Sequence, residues 1–270
     1  MAIITISRGS YSNGKEVAEK VASRLGYKCI SREVLLDASE HFHIPEMKLV
    51  HAIHDAPSIL DRFSHSQQAF IAYIRCALVQ YVKEDNVVYH GLAGHLLLKG
   101  IPHVLKVRVI ADLADRVRAE MKRKRISEED ARSILLKDDE ERRQWTHALY
   151  GADPWDSSLY DLVVHVHKLT IEDAVEIISD AALRAPFKTA KQVQQKMEDY
   201  GMACQLKAGL AHSFDNVGVK SEYGNILVYA KGNEHHVQRV RKKAKEIAGK
   251  MTGVNELEVH AAHKLPSDFV

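Results

Sequence analysis

The chain has 270 residues, 46% of them hydrophobic and 27% charged, and its 38 Lys plus Arg against 36 Asp plus Glu give a formal net charge of +2. That apolar content near neutrality excludes a disordered chain, and six Pro with 14 Gly exclude collagen-like or linker-dominated sequences. The charge balance also argues against bulk nucleic-acid binding, so no specific nucleic-acid partner is expected and any anion site has to come from local clustering of basic groups.

Residues 2–7 (AIITIS) form an Ile-rich run closed by Arg8, Gly9 and Ser10, which predicts a buried parallel strand. Residues 14–25 place Val17, Ala18, Val21 and Leu25 on one stripe of an amphipathic helix that Gly26 stops. A short strand at 27–30, a helix over 33–41 and a helix restarted by Pro45 follow. Residues 61–83 predict a long helix striped by Phe70, Ile71, Ile74, Leu78 and Val82. Strands are expected at 87–89, 105–110 and 162–166, with a glycine-containing loop at 90–94. Between the last two strands, Asp112 leads a basic helix, and Ser127 caps an acid-led helix running towards Trp145. Thr170 caps a helix carrying Ile171, Ala174, Val175 and Ile178.

Strands alternating with helices predict an α/β domain, a three-layer P-loop NTPase-type parallel sheet, over residues 1–184. Ala185, Pro186 and Phe187 break the pattern. Residues 185–270 then read helix, strand, strand, helix, strand, a small α+β domain. Cys29, Cys76 and Cys204 are too far apart for a disulfide framework or a metal set. Together with the lack of a signal-like start or a 20-residue apolar run, this gives a cytoplasmic expectation and no transmembrane segment. His51, His54 and Glu46 lack a zinc motif, so no metal ligands are expected; His165 and His167 share one side of a strand, and Trp155 reads as a packing anchor.

Gly9 to Lys15 fits G-x-x-x-x-G-K and sits between a predicted strand and a predicted helix. Glycines let successive N–H groups converge on phosphate oxygens, and the helix N-terminus adds a positive end. The candidate cradle comprises Arg8, Gly9, Ser10, Ser12, Asn13, Gly14, Lys15 and Glu16, with Glu16 where the motif carries Ser or Thr. The alternative is a strand–turn–helix joint whose glycines serve geometry alone. Arg116, Arg118, Arg123 and Arg125, then Arg142 and Arg143, are either phosphate donors on a lid or a solvated helical face.

With these pieces in place, ITISRGSYSNGKEVAEKVASRLGY, VVYHGLAGHLLL, DLADRVRAEMKRKRISEEDARSILLKDDEERRQW and YGADPWDSSLYDLVVHVHKLTIEDAVEII resemble the cytidylate-kinase-like family, P-loop nucleoside monophosphate kinases, over residues 2–182. The resemblance implies ATP and Mg²⁺ as cofactors and a small-molecule nucleotide as partner, nominally CMP. It implies Lys15 on the donor phosphates, Arg116 and the Asp139–Arg142 pair around the transferring phosphoryl, and a structural role for Asp161; of the remaining lid arginines, Arg123 is the further candidate to cover that group. Tyr11, Ser12 and Asn13 stand where the family loop is richer in glycine, and Leu92 stands where it has arginine. Those departures support the alternative of a weakly active or inactive nucleotide sensor. Residues 189–260 resemble a BON-type module. Its basic surface, Lys231, Arg239, Arg241, Lys242, Lys243 and Lys245, implies a protein or anionic-surface partner, or only a solubilising face.

Overall fold

Strand β1 (Ile3–Arg8) is Ile-rich because it is covered on both faces: Ile3, Ile4 and Ile6 are at most 1% exposed. The computed structural model describes residues 2–8, 13–49, 66–91, 93–266 and 269–270. They divide into two compact units, the first holding residues 2–33 and 85–189, the second 34–49, 66–84 and 190–270.

In the first unit β1 lies at the centre of a five-stranded parallel sheet with β2 (Lys28–Ile30), β3 (Val87–Tyr89), β4 (Val104–Ile110) and β5 (Leu162–His165), in the order β2-β3-β1-β4-β5. Ile3 pairs with Val87 on one side and Val104 on the other. The strand order reverses beside β1, and in such sheets ligands bind outside the carboxyl ends at that point. Helix α1 (Gly14–Leu25) lays Val17, Ala18 and Val21 on Ile4, Ile6 and Val107, and Gly26 ends it at φ 67°. Nearer the chain's later strands, α7 (Ile171–Ala182) adds Ala174, Val175 and Ile178 to the same core. Its N-terminus is a reciprocal capping box between Thr170 and Asp173.

On the other face, Gly94 of the short α4 (Gly94–Leu97) approaches Thr5 of β1. A Cβ on Gly94 would come 2.6 Å from the Tyr89 ring, and one on Gly91 would overlap the Tyr89 hydroxyl. The glycine-containing loop after β3 is therefore wrapped around a buried tyrosine. Leu92 lies outside the described residues. Helices α5 (Leu113–Lys124) and α6 (Glu128–Tyr150) form a hairpin around Val117, Ala131 and Leu135. Arg125 turns between them at φ 56°, and Ser127 caps α6 by accepting from the Asp130 amide.

The second unit shows the expected order: α8 (Lys191–Ala211), β6 (Val217–Glu222), β7 (Asn225–Ala230), α9 (Glu234–Ala248) and β8 (Glu256–Ala261). β6 and β7 are antiparallel, β7 and β8 parallel, so α9 provides the crossover that a parallel pair requires. Leu206, Leu210, Val219, Val228, Val237 and Val240 form its core. Most of α2 (Glu33–Phe42) and all of α3 (Ser66–Val82) also belong to this unit, α3 packing along α8. Tyr73 stacks on Phe42 at 4.2 Å. Residues 61–65 of the expected long helix, with His51 and His54, lie outside the described residues.

Candidate functional site

The junction of β1 and α1 is tight. A Cβ on Gly14 would lie 2.7 Å from the Cβ of Arg8, so only glycine permits this approach. Asn13 precedes it in the left-handed region (φ 59°), which Asn tolerates better than most residues. Its side chain makes no capping hydrogen bond. The first-turn amides of α1 thus receive no Asn13 side-chain oxygen, which fits an anion placed there. Gly9, Ser10, Tyr11 and Ser12 lie outside the described residues.

Lys15 is exposed and its Nζ stands 3.6 Å from Glu19. Glu16 turns along the helix, 2.9 Å from Lys20, which also reaches Glu172 of α7 at 2.6 Å. Held that way, Glu16 is a surface ion-pair residue.

Helix α6 gathers two of the expected arginines. Arg116, buried on α5, donates to Asp139 at 2.7 Å, and Arg142, one turn beyond Asp139, donates to the Arg8 carbonyl at 3.3 Å. Arg8, Asp139 and Arg142 line a cavity of about 40 Å³ together with Arg108, His95 and Trp155. Three guanidinium groups against one carboxylate already engaged by Arg116 make a lining suited to phosphate oxygens. Its volume has room for a few waters, at about 10–15 Å³ of such space for each, and not for a nucleotide. Lys15 and Arg123 do not line it; Arg123 is held bidentately by Glu120, with both bonds at 2.8 Å.

Arg108 and His95 were not singled out from sequence. Arg108 carried one signal, a guanidinium inside an apolar strand. The Tyr160 hydroxyl ties them together: it donates to the Pro154 carbonyl at 3.0 Å and lies 3.3 Å from both Arg108 Nη1 and His95 Nε2. Burial, then the charges of Lys106 and Arg108, push the His95 imidazole down to about 3, so it is neutral at ordinary pH. Trp155 corrects an expectation: it is 54% exposed, with the Arg143 guanidinium 4.9 Å from its ring centre. Asp161 accepts the Lys106 amide at 2.8 Å and pins β4 to the start of β5.

Residues 3–168 match the family model described as Cytidylate kinase-like family. The chain belongs to that family. It is thereby a member of the P-loop nucleotide-kinase superfamily, whose enzymes use a nucleotide and a metal. Over 101 residues it is 35% identical to a cytidylate kinase of Methanosarcina acetivorans, covering 36% of this chain and 54% of that protein. Over 177 residues it is 27% identical to a cytidylate kinase of Sulfolobus acidocaldarius, covering 65% of this chain and 91% of that protein. The first of these matches thus spans about half the length of its relative. The fold is similar to that of an uncharacterized protein from Eubacterium ventriosum, with a TM-score of 0.51 at 20% identity, covering 67% of this chain and 98% of that one. Among the described residues of this cytidylate kinase-like protein, no helix is long and apolar enough to cross a membrane.

Proposed function

We propose that the chain is a cytoplasmic kinase that moves the terminal phosphoryl of ATP to a nucleoside monophosphate, nominally CMP. The observation that carries this reading is the β1–α1 junction, where Gly14 alone allows Arg8 to lie against a helix N-terminus that the Asn13 side chain does not cap, in a chain of this family. Lys15, loosely paired at 3.6 Å, is available to turn towards the donor phosphates together with the amides of the cradle Gly9, Ser10, Ser12, Asn13 and Gly14. Arg116 and Arg142 are oriented by Asp139 and by the Arg8 carbonyl. They, with Arg123, would neutralise charge on the transferring group. Mg²⁺, when bound, supplies charge compensation between the phosphates. No covalent intermediate is required: an acceptor phosphate oxygen attacks, the donor's β-phosphate oxygen leaves, and the protein contributes alignment and positive charge.

A second reading, a nucleotide sensor of little or no activity, is favoured by Glu16 being tied to Lys20 and by the 40 Å³ arginine-lined cavity. The second unit, BON-like by resemblance, would then supply the partner or anionic contact. Of its basic groups, Arg241 already donates to the Val259 carbonyl and Lys243 already pairs with Glu246.

Coupled ADP release with ATP, Mg²⁺ and each of CMP, dCMP and UMP separates the readings. A kinase turns over at least one acceptor, and Lys15→Ala reduces turnover by about a hundredfold or more, as loss of a preorganised phosphate donor does elsewhere. ATP binding without turnover on any acceptor supports the sensor. Absence of nucleotide binding removes both.

A further inference from the structure

Away from the arginine-lined cavity, the carboxyl ends of β4 and β5 bring together two imidazoles and two carboxylates. We propose that Asp112, Asp115 and His167 bind one divalent transition-metal ion of the zinc class, with His165 orienting Asp112.

The backbone fixes every donor. His165 ends β5 and His167 follows two residues later, with Val164 and Val166 buried, so both imidazoles project to the outer side. Their rings lie 5.9 Å apart and inclined by 24°. The Val166 amide donates to the Ile110 carbonyl at 2.8 Å, which fixes this segment to the end of β4. Asp112 and Asp115 come from the N-cap and first turn of α5.

Asp112 carries the informative departure. An Asp at an N-cap ordinarily accepts an amide of the first turn. Here its side chain makes no capping bond; Oδ1 lies 3.0 Å from His165 Nε2 and Oδ2 lies 3.2 Å from His167 Nδ1. Asp115 offers Oδ2 to the same His167 nitrogen at 3.1 Å, while Arg118 holds its other oxygen. The donor atoms of Asp112, Asp115 and His167 all lie within 4.8 Å of one another. The separations of His167 Nδ1 from Asp112 Oδ2 and Asp115 Oδ2, 3.2 and 3.1 Å, are close to the edge, about 3.3 Å, of a tetrahedron whose ligands stand about 2.0–2.1 Å from zinc. An imidazole in the set favours zinc, cobalt, nickel or copper over magnesium and calcium, which prefer all-oxygen sets. The four side chains are between a third and a half exposed, so an ion has direct entry from solvent.

Zinc chloride titrated calorimetrically into the metal-free full chain tests this, with Co²⁺ as a spectroscopic probe and Mg²⁺ as a control. The expected result is one equivalent of zinc and a visible Co²⁺ band of a low-coordinate N/O site. His167→Gln and Asp112→Asn should each weaken zinc at least tenfold, the scale seen even for supporting groups around metal ligands. His165→Gln combined with His167→Gln should abolish binding. Thermal melts in EDTA establish that the variants fold, as expected for exposed positions; Asp115→Asn serves as a further variant should one fail. Absence of zinc binding by the parent chain overturns the proposal. So does an unchanged Co²⁺ spectrum in the double histidine variant, which would place the ion elsewhere and leave ordinary imidazole–carboxylate pairs here. Neither readout depends on turnover.

Discussion

Arg116 shows how a single charged residue serves packing and chemistry together. It is 9% exposed, and its partner Asp139 is also largely withdrawn from water. Removing one member of such a pair leaves the other charge without compensation. Arg116→Ala is therefore expected to lower unfolding free energy by roughly 3 kcal/mol, measured by urea denaturation. Arg116→Ala combined with Asp139→Ala should recover part of that loss. His95 makes a prediction about pH. Its folded-state pKa, about 3, is below the unfolded value of about 6.5. Below pH 6.5 the unfolded chain takes up a proton that folded His95 refuses, so stability falls as pH falls through that window. The slope from this residue approaches about 1.4 kcal/mol per pH unit. Stability curves at pH 7 and pH 5 should converge for His95→Gln relative to the parent; parallel curves would refute the assignment.

At the scale of elements, the β6–β7 turn is set by a distant helix. Tyr223 and Gly224 adopt φ 52° and 77°, the left-handed pair of a tight hairpin. Asp199 of α8, 6% exposed, accepts from both of their amides at 2.9 Å and from the Ser221 hydroxyl at 3.0 Å. Asp199→Ala strands the buried Gly224 amide and the part-buried Tyr223 amide and is expected to destabilise the second unit by about 2–4 kcal/mol, read as an earlier unfolding transition in hydrogen exchange of β6 and β7. Exchange rates unchanged from the parent would show that the turn holds itself.

The whole molecule is assembled from segments that alternate between units. Residues 34–49 and 66–84 fold with 190–270, whereas a single cut at 184/185 places them with the sheet of β1. A Cβ on Gly201 of α8 would stand 3.5 Å from Val79 of α3, and Gln194 donates to the Lys83 carbonyl at 3.2 Å. Deleting residues 190–270 uncovers the side of α3 that packs on α8. The truncated chain is expected to lose most of its soluble yield and to bind a hydrophobic dye. A cooperative, dye-silent truncated protein would contradict this packing.

Local sequence determined the elements themselves. Apolar runs named the strands, because strands buried on both faces must be continuously hydrophobic. Caps such as Thr170 and Gly26 set helix ends. The order of the second unit was legible for the same reason. Tertiary structure alone decided which distant groups meet. Arg116 finds Asp139 across 23 residues, Arg108 finds Tyr160 across 52, and Asp112 finds His165 across a helical hairpin. Periodicity reports which side of an element is apolar, but strand order and helix docking determine what stands opposite a polar side chain. Those depend on the packing of the entire chain, which no local window contains.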